Sequence, residues 1–518
     1  MQRRVVSHLL FLSTRSAVMT STSTTATTPA TSEAPNETTY DPRRWAGLAA
    51  VLCATLLGVL DFLIVNIAVP HIRSGLRATS ADIQLTVAGY GLAYAVCLIT
   101  GGRLGDIYGR KKMFLWGMAG FTFASMLCGL AQTPLQLVAA RVLQGLLASA
   151  MTPQVLSIIQ VSFPPREKGL AFAIMGAVVG IGSFIGNVFG GWLVDANVFG
   201  LGWRPIFFVN LPIGLCAMMA AWFLIRESKA PTATRLDGGG VLLSGLGLFC
   251  LIFPLSEGRE RGWPLWAFGM LALSAVILWF FVRFEKLVKA RGGAPLVDME
   301  LFHDRAFSAG LGAVMALFAA MGSFALTLTL FLQSGFGVSA AQTGVIFAPL
   351  PVAFLAASLW TVKLAQKIGP RILLVGMGLM LLAQSLMFIW IVLHGAALNP
   401  FTLMPIMLVY GVAQGTTVPR LMGTVLSNVA HDNAGAASGV LTTTQQVAFA
   451  IGISVIGGLF FSSLGARADA AAAATYVRAF SLVLACNFVL QIVTFVLLAR
   501  LTQIPAASLS HEIAPMEA

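Results

Sequence analysis

Charged side chains are scarce in this sequence. Only 10% of the 518 residues are Asp, Glu, Lys or Arg, whereas 57% are apolar. A typical soluble domain carries about 25% charged residues. So few charges could not solvate the three or four soluble domains that this length would otherwise suggest, which leaves the lipid bilayer as the solvent. The composition therefore excludes most soluble enzymes.

Three other signals are also missing. The six cysteines all lie within apolar runs and have no metal-ligand spacing, so we interpret them as buried thiols and expect neither disulfides nor a metal site. No G-x-x-x-x-G-K-[ST] loop occurs, which argues against an ATP-driven pump. No connection is long enough for a soluble catalytic domain. We therefore expect a protein that is not an enzyme and binds no cofactor.

Long apolar stretches separated by short polar breaks fill most of the chain. A helix needs about 20 apolar residues to cross the hydrocarbon core. We predict an all-α polytopic membrane protein with fourteen transmembrane helices, with boundaries good to a few residues. The predicted spans are 45–69, 82–101, 113–131, 135–160, 169–194, 204–225, 238–256, 265–282, 306–332, 342–362, 372–394, 400–427, 436–461 and 476–499.

The net charge of +12 has an uneven distribution along the chain. Most Lys and Arg residues lie in alternate connections and tails, among them Arg43, Arg44, Arg500 and the cluster from Arg110 to Lys112. This is the positive-inside asymmetry of membrane proteins. With an even number of spans, it predicts that both termini are cytoplasmic. Attraction to the negative inner leaflet explains the basic charge, so we expect no nucleic-acid partner.

The chain also repeats itself. The segment from Leu104 to Lys111 has a decayed counterpart from Leu364 to Arg371, and Gln144-Gly145 is echoed by Gln414-Gly415. Such a parallel repeat is typical of transporters whose substrate binds between two related halves near the midplane. We predict six-helix halves at 45–225 and 306–500, separated by two extra helices and linkers at 226–305.

Two polar tails flank these helices, at 1–44 and 501–518. The first is dominated by Ser, Thr, Ala and Pro between Thr20 and Thr39, a composition that cannot bury a core. We expect it to be a disordered cytoplasmic tail. Whether translation starts at Met1 or at Met19 stays open.

Two opposite charges lie inside predicted spans at a similar depth. Asp61 lies in the first helix and Arg141 in the fourth. An Asp at the bilayer centre costs ~3 kcal/mol on insertion scales, so it normally faces a cavity, pairs with another group or carries a proton. We predict that both charges face one polar cavity, with Gln144 on the same helix face as Arg141. The alternative is a structural Asp61 that bonds Asn66 or nearby backbone.

The segment from Gly102 to Lys112 is the most specific local pattern in the sequence. Gly105 and Gly109 permit close backbone approach. Asp106 could accept hydrogen bonds from a neighbouring helix N-terminus or pair with Arg110, which would form a latch that depends on the conformational state. The alternative is an ordinary solvated loop.

Small residues line one face of the fifth helix, where Gly182, Gly186 and Gly190 follow one another at intervals of four, with Gly191 next to the last. Such a face allows very close helix packing, either as a sliding contact between halves or as static packing. Tyr90 and Tyr94 are spaced i, i+4 on the second helix. They could line a drug cavity, although packing is the commoner role of such a pair.

Together these motifs resemble the major facilitator superfamily, and within it the fourteen-helix drug:proton antiporters. The resemblance covers about residues 45–500. Its motifs are Asp61 to Pro70, Gly102 to Lys112, Arg141-x-x-Gln-Gly145, Gly182 to Gly191, and Trp203 to Gly214. Leu63 replaces the usual Thr, Pro205 stands where an aromatic residue is common, and Gly186-Asn187 replaces the expected Gly-Pro.

The resemblance implies proton-coupled export of hydrophobic or cationic small molecules, that is, multidrug efflux by alternating access across a bacterial inner membrane. By this analogy Asp61 is the first candidate for a carboxylate that binds a proton or a cation, Arg141 modulates that binding, and Asp106 with Arg110 forms the latch. The proton gradient, not a cofactor, would supply the energy. Export of a single metabolite, siderophore or antibiotic is an alternative, and a non-transporting sensor is disfavoured by the buried charges. A periplasmic adaptor, used by some relatives, stays open.

Overall fold

The computed structural model describes residues 41–195, 200–230, 235–258, 261–464 and 473–502, and these residues form fourteen helical spans without strands. The predicted all-α polytopic fold is confirmed. The tail predictions for residues 1–40 and 503–518, including Met19, lie outside the described residues. The spans are α1 Arg44–Leu76, α2 Ser80–Tyr108, α3 Arg110–Leu130, α4 Pro134–Ser162, α5 Pro165–Asp195, α6 Pro205–Phe208 with Asn210–Leu224, α7 Gly238–Glu257, α8 Leu265–Ala290, α9 Arg305–Leu330, α10 Ala340–Phe347 with Pro349–Ile368, α11 Ile372–His394, α12 Met404–Leu426, α13 Ala434–Ile451 with Gly457–Leu464, and α14 Ala473–Thr502.

Thirteen of these spans are long and apolar enough to cross a membrane when the described residues are searched. The fourteenth, α5, has 31 residues. Several helices continue beyond their predicted ends; α1 reaches Leu76 and α8 reaches Ala290. Apolar periodicity reveals the part of a helix that lies in lipid, whereas the polar turns beyond it form the same backbone hydrogen bonds without that signal.

Short polar side chains start many of the helices. Thr79 and Asp82 form a reciprocal capping box at α2, with N···O distances of 2.9 and 3.2 Å. Asp304 accepts a 2.7 Å hydrogen bond from the Ala306 N–H at the start of α9. These oxygens satisfy backbone N–H groups that have no partner within the helix. Gly369 and Gly395, with φ of +60° and +51°, end α10 and α11.

The two halves pack their helices in the same pattern. In the N-terminal half, α4 packs on α2 and α3, while α1 packs on α5 and α6. In the C-terminal half, α12 packs on α10 and α11, while α9 packs on α13 and α14. Each contact therefore recurs eight helices later. The internal repeat read from the sequence corresponds to a repeat of packing.

The most extensive contacts between the described parts of the two halves involve four helix pairs. These are α2 with α13, α4 with α13, α5 with α10, and α5 with α12. The extra helices α7 and α8 pack on each other, and α7 also packs on α2 and α13. The extra pair therefore contacts one helix from each half.

Candidate functional site

Asp61 lies on α1 with a side chain that is fully buried. Its Oδ2 accepts a 2.5 Å hydrogen bond from Arg141 Nη1, and its Oδ1 accepts bonds of 2.8 Å from Gln144 Nε2 and 3.1 Å from Asn210 Nδ2. A buried charge is tolerated when it is paired and its remaining lone pairs are hydrogen-bonded. We call Asp61, Arg141, Gln144 and Asn210 the buried polar cluster.

Arg141 is also buried, with 1% of its surface exposed. Its Nη1 donates to Gln144 Oε1 at 2.7 Å, and its Nε donates to the Thr86 carbonyl at 3.3 Å. The guanidinium carbon lies 4.2 Å from the centre of the Tyr90 ring, a cation–π contact. Arg141 thus contacts side chains or backbone of α1, α2 and α4, and its guanidinium carbon lies 5.9 Å from the centre of the Phe207 ring on α6.

The structure brings Asp61 and Arg141 together in a direct ion pair, with Gln144 bonded to both. Tyr90 belongs to this environment as the aromatic partner of Arg141. Tyr94 stacks on Tyr90, with ring centres 6.0 Å apart and planes 3° apart. Asn66 lies on the same helix as Asp61, but its side chain is outside the described residues.

Sequence reasoning missed Asn210 and its support. Asn210 Nδ2 also contacts Ser125 Oγ at 3.0 Å, and that hydroxyl donates to the Phe207 carbonyl at 2.9 Å. This chain of contacts joins α6 and α3 to Asp61. The motif from Trp203 to Gly214 contains Asn210, but nothing in the sequence indicates that it points at Asp61.

The junction between α2 and α3, from Asp106 to Arg110, contacts the other half of the protein. Asp106 is fully buried. Its Oδ1 accepts hydrogen bonds from Arg110 Nη2 at 2.7 Å and the Gly435 N–H at 3.0 Å, while its Oδ2 accepts from the Ala436 N–H at 2.9 Å. Arg110 Nη2 also donates to the His431 carbonyl at 2.6 Å. A carboxylate at the N-terminus of α13 is favoured by the helix dipole.

The solvated-loop alternative for this turn is wrong, because both Asp106 and Arg110 are buried against the other half. We call Asp106, Arg110 and the first turn of α13 the latch. Its glycines are positions of close contact. A Cβ on Gly102 would collide with the carbonyl of Gly435, and a Cβ on Gly105 would collide with the side chain of Gln154. Gly109 has φ +108°, a backbone conformation that other residues rarely adopt.

A short segment after α6, residues 226–230, forms hydrogen bonds with the α2–α3 part of the latch and the residues next to it. The Glu227 carboxylate accepts from the N–H groups of Lys111 and Lys112 at 3.0 and 3.1 Å. The Arg110 N–H donates to the Ser228 carbonyl at 2.8 Å, and the Ala230 N–H donates to the Asp106 carbonyl at 3.0 Å. We call this segment the strap. No sequence motif indicated it.

The glycines of α5 divide between two neighbours. Cβ atoms on Gly182 or Gly186 would lie about 3.3 Å from side chains of α1, which belongs to the same half. Gly176 and Gly180, six and two residues before Gly182, instead face Pro419 of α12 and Phe354 of α10 in the other half. The surroundings of Gly190 and Gly191 are outside the described residues. The sliding contact between halves therefore does not involve Gly182 or Gly186, where packing is within one half.

Within the described residues, no group of three or more His, Cys, Asp or Glu side chains could hold a metal ion. The cysteines that the structure describes are free thiols.

Several known proteins are similar to this chain in sequence or in architecture. The sequence profile of the Major Facilitator Superfamily matches residues 51–453. A probable actinorhodin transporter from Streptomyces coelicolor is 41% identical over 83% of this chain and 74% of its own, and a tetracenomycin C resistance and export protein from Streptomyces glaucescens is 33% identical over 82% and 77%. The multidrug resistance protein Stp of Mycobacterium tuberculosis is 32% identical over 81% and 77%. The human organic anion transporter MFSD10 (TETRAN) shares the fold, with a TM-score of 0.62, 16% identity, and coverage of 88% of this chain and 100% of its own.

Proposed function

The chain belongs to the major facilitator superfamily, and from this premise we propose that it exports drug-like small molecules out of the cytoplasm in exchange for protons, by alternating access. It is a multi-pass membrane protein whose relatives are transporters and not enzymes. We place it in a bacterial inner membrane with both termini in the cytoplasm, because the basic connections lie on the side of the latch. Its partners are then protons, the lipid bilayer and the substrate.

The buried polar cluster is the observation that carries proton coupling. Asp61 has no contact with solvent, and three side-chain donors stabilise its charged form. A rearrangement that removed Arg141 or admitted water would change the electrostatic environment of the Asp61 carboxylate. A carboxylate placed this way can load a proton in one conformation and release it in the other. A static scaffold would gain nothing from the cost of burying this pair.

The latch supports alternating access. It holds the two halves together at one end through hydrogen bonds from α13 to Asp106. With the basic connections in the cytoplasm, this structure is the state closed to the cytoplasm. Breaking the latch would let the halves separate there, so that substrate can enter between them.

Dedicated export of a single antibiotic or metabolite is the second candidate. Two relatives are named for one compound each, actinorhodin and tetracenomycin C, whereas Stp is named for multidrug resistance. A susceptibility and accumulation panel in an efflux-deficient host separates the two possibilities. Protection against several unrelated drugs supports multidrug efflux, and protection against one compound supports a dedicated exporter.

Asp61→Asn tests the proton coupling. The amide has nearly the same shape but cannot exchange a proton, so the variant should fold while substrate-driven proton release from inverted vesicles is abolished. Glu300→Gln is the control, because Glu300 is an exposed carboxylate outside the buried polar cluster. Undiminished proton exchange in Asp61→Asn would refute the assignment, and absence of any flux in the unmodified protein would support a sensor.

A further inference from the structure

Negative charge is absent from the helices of the C-terminal half. Between Asp304 and Asp432 the sequence contains no Asp or Glu, and the next acidic residue is Asp469. Asp304 precedes and caps α9, Asp432 lies in the connection before α13, and Asp469 lies in the sequence between α13 and α14. None of the helices α9 to α14 therefore carries a carboxylate.

The packing repeat shows what replaces the carboxylate. In the N-terminal half, Asp61 on α1 accepts a hydrogen bond from Asn210 on α6. Eight helices later, Ser323 on α9 donates a 2.7 Å hydrogen bond to Asn487 on α14. The asparagine partner is retained, but a neutral hydroxyl stands where Asp61 would be. The carboxylate of Asp61 itself is neutralised by Arg141.

One positive charge lies between the halves without compensation. Arg420 lies on α12, and its Nε and Nη2 atoms are buried without a hydrogen-bond partner among the described residues. A Cβ on Gly169 of α5 would lie 3.9 Å from Arg420 Nη1, and the preceding Pro419 contacts Gly176 of the same helix. Arg420 thus faces the opposite half about one and a half turns from the latch end of α12.

The acidic residue nearest to this point in sequence is already engaged. Glu167, two residues before Gly169, forms a bidentate pair with Arg44 at 2.7 Å. The neighbouring Lys168 adds a second, half-buried positive charge. The entrance between α5 and α12 at the latch end is therefore positively charged.

We propose that the transported molecule is a lipophilic anion and that Arg420 supplies its countercharge as it enters between the halves. This inference rests on the proposed export function and refines its substrate class. An anion leaving water for a weakly polar environment needs a compensating positive charge, and Arg420 offers unoccupied N–H donors. A cationic molecule would be repelled by Arg420 and would find no carboxylate on helices α9 to α14. The proposal therefore differs from the cationic substrates that the family resemblance implies.

Uptake of two dyes into inverted vesicles carrying a proton gradient tests the charge preference. Carboxyfluorescein is the anionic probe and ethidium the cationic probe. The unmodified protein should accumulate carboxyfluorescein and not ethidium. Accumulation of ethidium without carboxyfluorescein would overturn the inference but leave export intact. Failure of both dyes to move, together with failure of the drug panel, would overturn the export function as well.

Substitution of Arg420 tests the residue. Arg420→Gln should raise the KM for carboxyfluorescein about tenfold, as expected when one charge-assisted contact worth about 1.4 kcal/mol is lost. Arg420→Lys keeps the charge and should retain a KM within about threefold. Arg283→Gln, which removes an exposed arginine of α8, is the control and should leave KM unchanged. An unchanged KM in Arg420→Gln would overturn the role of Arg420. If that variant does not fold, the role is overturned when the unmodified protein and Arg420→Lys each take up carboxyfluorescein and ethidium equally well.

Discussion

Asn210 donates one of the two hydrogen bonds that Asp61 Oδ1 accepts, at 3.1 Å, and Gln144 donates the other. The same amide nitrogen lies 3.0 Å from Ser125 Oγ, so its position is fixed from α3. Asn210 carries no charge and takes no proton itself. Its role is to position the Asp61 side chain, which predicts an effect on transport rate more than on substrate affinity.

Asn210→Ala should therefore lower the rate of transport. The variant removes one donor to the buried Asp61 carboxylate and the contact that holds this donor from α3, so a buried acceptor loses a partner. We expect the kcat of transport to fall about tenfold, with little change in the KM for substrate. The measurement is the initial transport rate of vesicles across a series of substrate concentrations. Asn428→Ala, at an exposed position after α12, is the control; equal kcat values in both variants would contradict the role of Asn210.

Pairing of Asp61 with Arg141 could be predicted from the sequence because each residue violates the apolar pattern of its own helix at the same depth. Asn210 and Ser125 violate no pattern, since Asn and Ser are tolerated in many membrane helices. Their role depends on how α6 and α3 are oriented about α1. That orientation is a property of the packed half and has no local signal.

Helices α2 and α13 touch at the level of their backbones. A Cβ on either Gly102 or Gly435 would collide with the carbonyl of the other residue. Larger side chains at these positions would hold the two helices apart, and the hydrogen bonds from α13 to Asp106 would lengthen. The close approach and the latch therefore depend on each other.

Gly102→Val should prevent closure of the latch end. Spin labels at Lys112 and Asn428, both exposed and near that end in opposite halves, should show a longer mean distance than in the unmodified protein, and transport should fall at least about tenfold. Gly378→Val is the matched control, because a Cβ on Gly378 of α11 would meet nothing within 4 Å. A label distance unchanged by Gly102→Val would refute this prediction.

The strap should stabilise the latch through the N-terminus of α3. Glu227→Ala removes the carboxylate that accepts from the Lys111 and Lys112 N–H groups, and the loss of such a cap costs about 1 kcal/mol. We expect a thermal midpoint lower by about one degree and a longer distance between the same two labels. Glu300→Ala removes an exposed carboxylate paired only with Lys289 and should change neither. Equal midpoints for the two variants would contradict a role for the strap.

The strap could not be predicted because its five residues have no periodicity and carry a single acidic side chain. The latch could be predicted in part, since Asp106 among bases in a glycine-rich turn is a specific pattern. Its partner was not foreseeable, because Gly435 and Ala436 contribute only backbone N–H groups. Any residue except proline supplies the same donor.

At the scale of the whole molecule, fourteen spans and the uneven basic charge predict a defined orientation. A cysteine in place of Ala396, exposed after α11, should react with a membrane-impermeant thiol reagent in intact cells. A cysteine in place of Lys112, at the latch end, should react only after permeabilisation. The unmodified chain gives the background from its own cysteines, of which Cys216 is exposed. The reverse labelling pattern would place both termini outside.

The number of spans was predictable because lipid imposes a length and a composition on each helix. The repeat was predictable only where glycine and glutamine motifs survived in both halves. The full equivalence of packing, in which every major contact recurs eight helices later, rests on side-chain shapes that differ between the halves. Such equivalence is visible only in three dimensions.

The contact between Gly102 and Gly435 also determines how fast the latch end can open. Two helices that meet through backbone atoms immobilise no side chains there, so separating them releases little rotamer entropy and requires no repacking. Opening must also break the hydrogen bonds of Asp106, each worth about 1.5–3 kcal/mol to a charged acceptor, and those that Ser157 and Gln160 of α4 donate to α13 and α12. Water reaching these buried groups would replace the broken bonds, so hydration of the opening interface would speed its separation.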